Sequence, residues 1–478
     1  MEVARSASTT SIQDLSIKGL TLDSREVEPG FLFAAAPGLK VQGTEFIPQA
    51  IQAGATVILA PTDYTPPADL ADKVAFIYSD NVNYELSRLA SEFYPKQPQN
   101  IGAITGSIGK SSTIRFTYDL LEACGEKACS LGSLGPQPDG GFLERFMTTA
   151  HAPTNHKFLD SFADRGFTHL AFEVTSHGLT QDRVSHVNFT AAAFNNFSED
   201  HLDYHGTMDA YFDAKMLLFK KFMPKGAKVA INKKDASFDK VRAVCEENGL
   251  DVIGFGSQDS DVYLKNETTW IAFGMEYTVI LPKLFPFQFD NLMCAAGLAL
   301  AMGIPAETIA PNLGKIKPVP GRMELVTTFK NGAEVFVDYA YAGPPLKLAL
   351  ELARERTDKK VSCVFGCGGD KAPERRKDMG EVAQKLADHV YVVDNEPRTE
   401  DPAAIRAEIL GHCAKAEDCG TRPAGIEKAM RELQAGDILM VCGKGHETTI
   451  DYNGELVPHL DSETIRNIYK KMSEEGLG

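Results

Sequence analysis

The chain of 478 residues is long enough for about three domains of roughly 150 residues each, which excludes a single small module. Its 43% hydrophobic and 24% charged residues are typical of globular proteins and exclude a wholly disordered chain. The formal net charge of −16 repels nucleic acids and anionic membranes, so neither is expected as a partner and a small or nucleotide substrate is favoured.

The first part of the chain predicts a small mixed α/β unit. Residues 17–60 alternate short apolar runs with turn residues, and YPKQPQN at 94–100 marks the end of the unit. A buried strand (IGAITG), a glycine turn (GSIGKS) and a helix (SSTIRFTYDLLEAC) follow directly. This order of strand, loop and helix is typical of a phosphate-binding site and predicts the start of a second domain.

Strands and helices then alternate, which indicates a mostly parallel sheet. Strands are predicted at 169–174, 190–197 and 228–232, whereas 261–281 predicts a hairpin insertion. A further α/β unit begins near residue 334, after the turn-forming PVPGR, and repeats strand and helix through DILMVCG.

We therefore predict an α/β protein of three domains. These are a small mixed α/β N-terminal domain (1–98), a central P-loop ATPase domain with a mostly parallel sheet (99–321), and a C-terminal Rossmann-like α/β domain (322–478).

The GSIGKS run at 106–111 is a shortened relative of the Walker A loop. Its glycines allow backbone N–H groups and the helix N-terminus to face phosphate oxygens. Lys110 would neutralise the negative charge of the β- and γ-phosphates of a nucleotide, and the Ser111 hydroxyl would reach Mg²⁺. An ordinary glycine turn is the alternative, and the strand before and the helix after the loop argue against it.

Acidic and polar residues at two later strand ends are candidates for a metal site. Mg²⁺ prefers oxygen ligands, and Glu173 ends the apolar run HLAFE. The alternative is a surface glutamate. The cluster DHLDYH at 200–205 follows another strand and predicts a second metal or phosphate shell, although a lone cluster of this kind is more often a solvated loop.

The nine cysteines form no Cys-x-x-Cys pair and no zinc-ligand spacing. Several lie inside apolar runs, which predicts scattered, mostly buried thiols and a reducing compartment. Since no stretch approaches ~18 consecutive apolar residues and no apolar leader is present, we expect a cytoplasmic protein.

The motifs occur in one order along nearly the whole chain: DSR at 23–25, TGSIGKSS, EVTSHGL, NNFSEDHLDYHG, PGR, DYA, FGCGGD, EPRTEDP and GKGHE. This ordered set resembles the Mur ligases, the ATP-dependent enzymes of peptidoglycan precursor assembly. The last motifs are similar to those of the members that add the third amino acid. The resemblance implies ligation of meso-diaminopimelate to the D-glutamate carboxylate of UDP-N-acetylmuramoyl-L-alanyl-D-glutamate through an acyl phosphate, with ATP and Mg²⁺ as cofactors, by a monomer.

The resemblance also implies the roles of individual residues. Ser111 and Glu173 would hold one Mg²⁺, and His201 would hold a second together with Lys215, which is carbamylated in the family. Without the resemblance, Lys215 reads as a helix-surface lysine. The implied catalytic residues are Lys110, Glu173, His201 and Lys215.

Three sets of binding residues are implied in the same way. ATP would contact Gly106, Ser107, Gly109, Lys110, Ser111, Ser112, Asn291, Arg322 and Asp338. The UDP-muramoyl peptide would contact Leu22, Ser24, Thr148, Thr149, Thr175, Gln181 and Arg183. The incoming amino acid would contact Lys371, Asn395, Glu396, Arg398, Gly443 and Glu447. Arg398 is the residue that favours diaminopimelate over lysine.

The chain departs from the family pattern at several positions. Ile108 replaces an asparagine of the phosphate loop, and Tyr341 replaces the histidine of DYAH. Lys371 replaces an arginine, and the DNPR motif reads Asn395-Glu396-Pro397-Arg398. Two alternatives stay open: a relative with another acceptor such as L-lysine, or another acyl donor, and a nucleotide-binding relative that has lost turnover.

Overall fold

The computed structural model describes residues 4–6, 11–38, 41–138, 147–282, 284–370 and 373–476. The chain divides into two compact units, Met1–Lys317 and Pro318–Gly478, which are described separately. The first unit contains two sheets.

The first sheet is five-stranded and parallel. Its strands are β1 Ala4–Ser6, β2 Gly19–Thr21, β3 Phe31–Ala34, β4 Val57–Pro61 and β5 Ala75–Ser79. They lie in the order β1-β5-β4-β3-β2. The helices with it are α1 Ile47–Ala53, α2 Ala68–Ala71 and α3 Val82–Phe93. Successive side chains point to opposite faces, so Leu32 and Leu59 join one core while Phe33 and Ile58 join another.

The second sheet has nine strands in the order β14-β13-β12-β11-β10-β9-β6-β8-β7. Its strands are β6 Asn100–Thr105, β7 Ala128–Leu131, β8 His169–Glu173, β9 Ala191–Phe194, β10 Lys228–Asn232, β11 Asp251–Phe255, β12 Val262–Asn266, β13 Thr269–Ala272 and β14 Met275–Thr278. The helices of this part are α4 Lys110–Ala123, α5 Ala152–Asp164, α6 Ser176–Thr180, α7 Leu202–His205, α8 Met208–Leu217, α9 Phe238–Glu247, α10 Pro286–Ala301 and α11 Ala306–Ile309.

Three neighbouring strands of this sheet position the candidate site. β9, β6 and β8 lie side by side and are parallel, so their carboxyl ends meet at one edge. The glycine loop follows β6, Glu173 ends β8, and Asn195 follows β9. These strands are almost entirely buried, which fixes the three segments on a rigid core.

The second unit contains a six-stranded sheet in the order β15-β16-β20-β17-β18-β19 and a separate two-stranded one. The strands are β15 Glu324–Thr328, β16 Glu334–Asp338, β17 Val361–Phe365, β18 His389–Val392, β19 Ala416–Asp418, β20 Ile438–Cys442, β21 Thr449–Tyr452 and β22 Glu455–Pro458. The helices are α12 Gly343–Arg356, α13 Glu374–Leu386, α14 Pro402–Leu410, α15 Arg422–Arg431 and α16 Asp461–Glu474. Only β15 runs antiparallel within the larger sheet.

A fully buried ion pair connects the last two helices to the end of β20. Arg422 donates to both carboxylate oxygens of Asp461 at 2.7 Å and to the carbonyl of Cys442 at 2.7 Å. The buried Arg422 guanidinium and a hydrogen bond from His459 hold the pKa of Asp461 at about 2, against the opposing effect of burial. The ion pair therefore fixes the position of the Cys442 backbone, where the next segment begins.

The α/β class and the mostly parallel sheets predicted from the sequence are confirmed. The predicted hairpin at 261–281 is a meander of three strands that extends the main sheet through β11, so the prediction missed one strand. All nine cysteines are free thiols, and seven are buried, as expected. None of the helices in the described ranges is both long and apolar enough to cross a bilayer. The three-domain division stays a prediction.

Candidate active site

The glycine loop after β6 closes directly onto the N-terminus of α4. Gly109 adopts φ +82°, and a Cβ there would lie 2.3 Å from the Asn291 side chain, so only glycine fits. The Lys110 ammonium donates to the carbonyls of Gly106 and Ser107 at 3.0 and 2.9 Å. The loop thus places a cation and the positive end of a 14-residue helix together, an arrangement that suits a phosphate group.

Two asparagines from the end of β9 hold this loop. Asn196 accepts from the Ile108 N–H at 2.8 Å and donates to the Ile108 carbonyl at 2.9 Å. Asn195 donates to the Asn291 side-chain oxygen at 2.7 Å. The Ile108 side chain is 55% exposed, so the loop uses the backbone of this residue rather than its side chain.

Glu173 lies buried beside the start of α4. One carboxylate oxygen accepts from the Ser111 hydroxyl at 3.2 Å and the other accepts from the Ser133 N–H at 3.0 Å. A Cβ at position 132 would lie 2.6 Å from Glu173, so Gly132 leaves room for this carboxylate. The interpretation of Glu173 as a surface residue is therefore wrong.

Lys215 lies in the core, with 1% of its surface exposed. Its amine donates to the Gly106 carbonyl at 2.7 Å and lies 4.4 Å from the centre of the Tyr211 ring. Burial, and secondarily the charge of Lys110, hold the pKa of Lys215 well below its ordinary value. The interpretation as a helix-surface lysine is therefore wrong. A lowered pKa increases the fraction of neutral amine, the form that reacts with carbon dioxide.

His201 lies in the DHLDYH cluster before α7 and has a positive φ of +54°. Its Nε2 lies 3.3 Å from an Asp200 carboxylate oxygen, and its ring centre lies 4.9 Å from that of His177. Burial lowers the pKa of His201 and, more strongly, that of His177, to about 4. Both imidazoles are thus neutral near pH 7 and keep a lone pair.

These groups fit a magnesium site of the usual kind. The described residues contain no cluster of three or more His, Cys, Asp or Glu that could enclose a metal. Mg²⁺ usually takes one or two protein oxygens and completes its shell with phosphates and water. The buried Ser111 and Glu173 oxygens beside the phosphate loop match that requirement.

The residues expected to bind the UDP substrate form one network beside Glu173. Arg183 donates to the Thr149 carbonyl at 2.8 Å and to the Gln181 side chain at 2.7 Å. The Thr149 hydroxyl lies 3.0 Å from that of Thr175, which also caps α6. Burial lowers the pKa of the neighbouring His151 to about 4.

Of three further residues of that set, one lies close by and two follow β2 of the first sheet. The Thr148 and Ser133 hydroxyls lie 2.9 Å apart. Ser24 donates to the Gln49 side chain at 3.1 Å, and Leu22 packs against the core of the first sheet.

In the second unit, Arg322 and Asp338 lie near Tyr339. The Arg322 guanidinium lies 4.5 Å from the centre of the Tyr339 ring. Asp338 accepts from the N–H groups of Met323 and Ala340 at 2.8 and 2.9 Å. Burial raises the pKa of Asp338, and Arg322 opposes that rise.

The residues expected to bind the amino acid come from the segments after β18 and β20. The Asn395 amide donates to the Gly366 carbonyl at 3.3 Å, and Arg398 donates to the Gly369 carbonyl at 3.1 Å. Gly443 adopts φ +106°. Glu396 and Glu447 both contact Lys444. Lys371 lies outside the described residues.

Sequence reasoning missed Asn195, Asn196, Tyr211 and Lys444. All four lie inside or beside quoted motifs, NNFSEDHLDYHG and GKGHE. The motifs could have drawn attention to these residues. Their contacts with segments distant in the chain could not be predicted from the motifs.

Three family models match the chain in sequence order. They are "Mur ligase family, catalytic domain" at 16–94, "Mur ligase middle domain" at 104–299 and "Mur ligase, glutamate ligase domain" at 321–445. A UDP-N-acetylmuramoyl-L-alanyl-D-glutamate--2,6-diaminopimelate ligase of Chelativorans sp. (strain BNC1) is 37% identical over 467 residues, which cover 96% of each chain.

Solved structures show the same fold. A structure of a UDP-N-acetylmuramoyl-L-alanyl-D-glutamate--2,6-diaminopimelate ligase matches with a TM-score of 0.64 and 26% identity, covering 97% of this chain and 99% of the other. A MurF ligase from Thermotoga maritima in complex with ADP matches with a TM-score of 0.59 and 20% identity, covering 97% and 99%.

Proposed function

This chain belongs to the Mur ligase family, and we propose that it joins meso-diaminopimelate to the D-glutamate carboxylate of UDP-N-acetylmuramoyl-L-alanyl-D-glutamate at the expense of ATP, in peptidoglycan precursor biosynthesis. The observation that carries the proposal is the phosphate loop with a buried carboxylate and a buried lysine of lowered pKa against it. Relatives named for this reaction match along 96% of the chain.

A carboxylate is a poor acyl donor until phosphorylation supplies a leaving group. The γ-phosphoryl group of ATP passes to the D-glutamate carboxylate, the acceptor amine then attacks the acyl phosphate, and phosphate leaves. Lys110 and the N-terminus of α4 stabilise the negative charge on the transferring group. Because this charge is greatest in the transition state, donors fixed in advance lower the barrier.

Ser111 and Glu173 would hold one Mg²⁺, and His201 with a carbamylated Lys215 would hold a second. When bound, the two Mg²⁺ ions would neutralise charge on the phosphates and orient them. Lys215 supports this role because burial lowers the pKa of its amine, and the neutral form of an amine takes up carbon dioxide to give an acidic ligand.

The substrate contacts are part of the proposal. Arg183 carries a planar guanidinium, which donates to the Thr149 carbonyl and to the Gln181 side chain and suits a phosphate or carboxylate of the UDP-muramoyl peptide. Asn291, Arg322 and Asp338 would contact the nucleotide. Arg398 and Glu447 would pair with the carboxylate and ammonium that diaminopimelate carries at its far end. We place the reaction in the cytoplasm and expect a monomer.

The test is phosphate release from ATP with the UDP-muramoyl dipeptide, Mg²⁺ and bicarbonate. Meso-diaminopimelate, L-lysine and no amino acid are compared. Release that requires diaminopimelate is expected. Release only with lysine would mean that lysine is the acceptor. No release with either amino acid would contradict the proposal. The relatives named above are diaminopimelate-adding ligases, which does not favour lysine as the acceptor or a loss of turnover.

A further inference from the structure

A buried lysine lies behind two half-exposed carboxylates in the second unit. Lys444 has no exposed surface, and its ammonium lies 2.5 Å from a Glu396 oxygen and 2.8 Å from a Glu447 oxygen. The side chains of Glu396 and Glu447 are 21% and 31% exposed. The lysine is therefore screened from solvent by the carboxylates, and the carboxylates present their open side to solvent.

The backbone directs Lys444 inward. It lies between two glycines with positive φ, Gly443 at +106° and Gly445 at +56°. A Cβ on Gly445 would lie 2.9 Å from the side chain of Tyr339 and from the carbonyl of Gly321, so the loop packs too closely for a larger residue there. The inward lysine is a fixed feature of the GKGHE segment rather than one rotamer among many.

The contacts orient each carboxylate. The second Glu447 oxygen accepts from the Tyr339 hydroxyl at 3.1 Å, so both oxygens of Glu447 are held. Glu396 is held through one oxygen only among the described residues, which leaves its second oxygen for a ligand. Two carboxylates and one ammonium carry a net charge of −1, so one further cation balances the cluster.

We propose that Lys444 is a positioning residue for the acceptor: it holds Glu396 and Glu447 together so that the second Glu396 oxygen and the open side of Glu447 receive an ammonium group of the incoming amino acid. The inference rests on the proposed function, since it takes the acceptor to be an amino acid with an additional ammonium. It assigns Glu396, which departs from the family motif, a specificity role that depends on Lys444.

The test uses the full-length enzyme and the variants K444M, E396Q and the double variant, with K347M as the matched control. Lys347 makes an exposed ion pair with Glu351 at 3.8 Å, so the control removes the same charge from a surface. Steady-state phosphate release is measured with each of the three substrates varied in turn, and thermal unfolding checks folding.

K444M and E396Q are each expected to lower kcat/KM for the acceptor by about tenfold or more, with the KM of ATP and of the UDP dipeptide within about twofold of wild type. Because the residues act as a unit, the double variant should lose less than the product of the single effects. An unchanged acceptor kcat/KM, or equal losses for all three substrates, would overturn the inference. Failure of the wild-type arm with diaminopimelate would instead overturn the proposed function.

Should K444M fail to unfold cooperatively, E396Q alone decides, because it removes a half-exposed charge and keeps an amide oxygen for Lys444. A normal acceptor kcat/KM in folded E396Q would then overturn the inference, because Lys444 is proposed to act through Glu396.

Discussion

Asn196 offers a direct test of how the phosphate loop is held. Replacing it with alanine removes the two Asn196 side-chain hydrogen bonds to the Ile108 backbone, at 2.8 and 2.9 Å. It leaves the bond from the Asn195 amide to the Ile108 carbonyl at 3.2 Å and the backbone bond from the Ser107 N–H to the Asn196 carbonyl. A typical hydrogen bond contributes about 0.5–1.5 kcal/mol net. Residue 108 is exposed, so water replaces part of the lost hydrogen bonding. The ordered loop conformation should therefore be destabilised by about 1–2 kcal/mol.

At 1.4 kcal/mol per factor of ten, the KM for ATP should rise about 5- to 30-fold. The assay is phosphate release with ATP varied and both other substrates saturating. Ile108→Ala is the matched control, because its side chain is 55% exposed, and it should leave the KM for ATP within about twofold. If Asn196→Ala unfolds at the wild-type temperature and keeps the wild-type KM for ATP, the two asparagine contacts do not order the loop.

Three further outcomes follow from the buried charges. Glu173→Gln keeps one acceptor oxygen for the Ser133 N–H, and its amide can donate to the Ser111 hydroxyl, so it should fold. It should need more Mg²⁺ and lose about 100-fold or more in kcat in a magnesium titration, and normal magnesium dependence would exclude Glu173 as a ligand. Lys215→Met should abolish ligation, and depleting bicarbonate should lower wild-type activity, whereas activity independent of bicarbonate would argue against carbamylation. The Asp461 pKa of about 2, below its ordinary value, means that stability of about 2 kcal/mol is present above pH ~4 and is lost as the pH falls toward 2. Asp461→Asn should lose about 3–5 kcal/mol at pH 7, because Arg422 is left buried and unpaired, and should flatten the pH dependence of urea unfolding below pH 4; an unchanged pH dependence would refute this.

Much of the fold could be predicted from local patterns. Apolar runs bounded by glycine turns placed β6, β8 and β10 within a residue or so of their observed bounds, since buried parallel strands read as continuous apolar segments. The position of Glu173 at the edge with the glycine loop also followed, because parallel strands end at the same side. The meander after β11 was harder to predict. A meander of three short strands and a two-stranded hairpin have the same turn residues between their strands.

The burial of Lys215 could not be predicted from its helix. Its environment is set by the Gly106 carbonyl, which lies 109 positions away in sequence, and by packing against Tyr211. The same holds for Asn196, whose partner is a backbone group 88 positions away, and for Lys444, whose partner Glu396 is 48 positions away. Side-chain type and spacing give no information about such contacts, because they depend on which segments the sheet order brings together.

The contacts of Ile108 and Tyr341 indicate that these two departures from the family motifs are compatible with activity. Ile108 lacks the amide of the family's loop, but the loop takes its hydrogen bonds through the Ile108 backbone, so the missing side chain does not remove them. Tyr341 is half-exposed and packs against Tyr339 and the Arg375 guanidinium, whose distance to the Tyr341 ring centre is 5.2 Å. Both substitutions thus alter exposed side chains. The ionisable groups beside the phosphate loop, Glu173 and Lys215, are buried and intact. A chain that had lost turnover would not need a buried carboxylate and a buried amine, each of which costs free energy unless it serves a ligand, so the contacts favour an active ligase over a nucleotide-binding remnant.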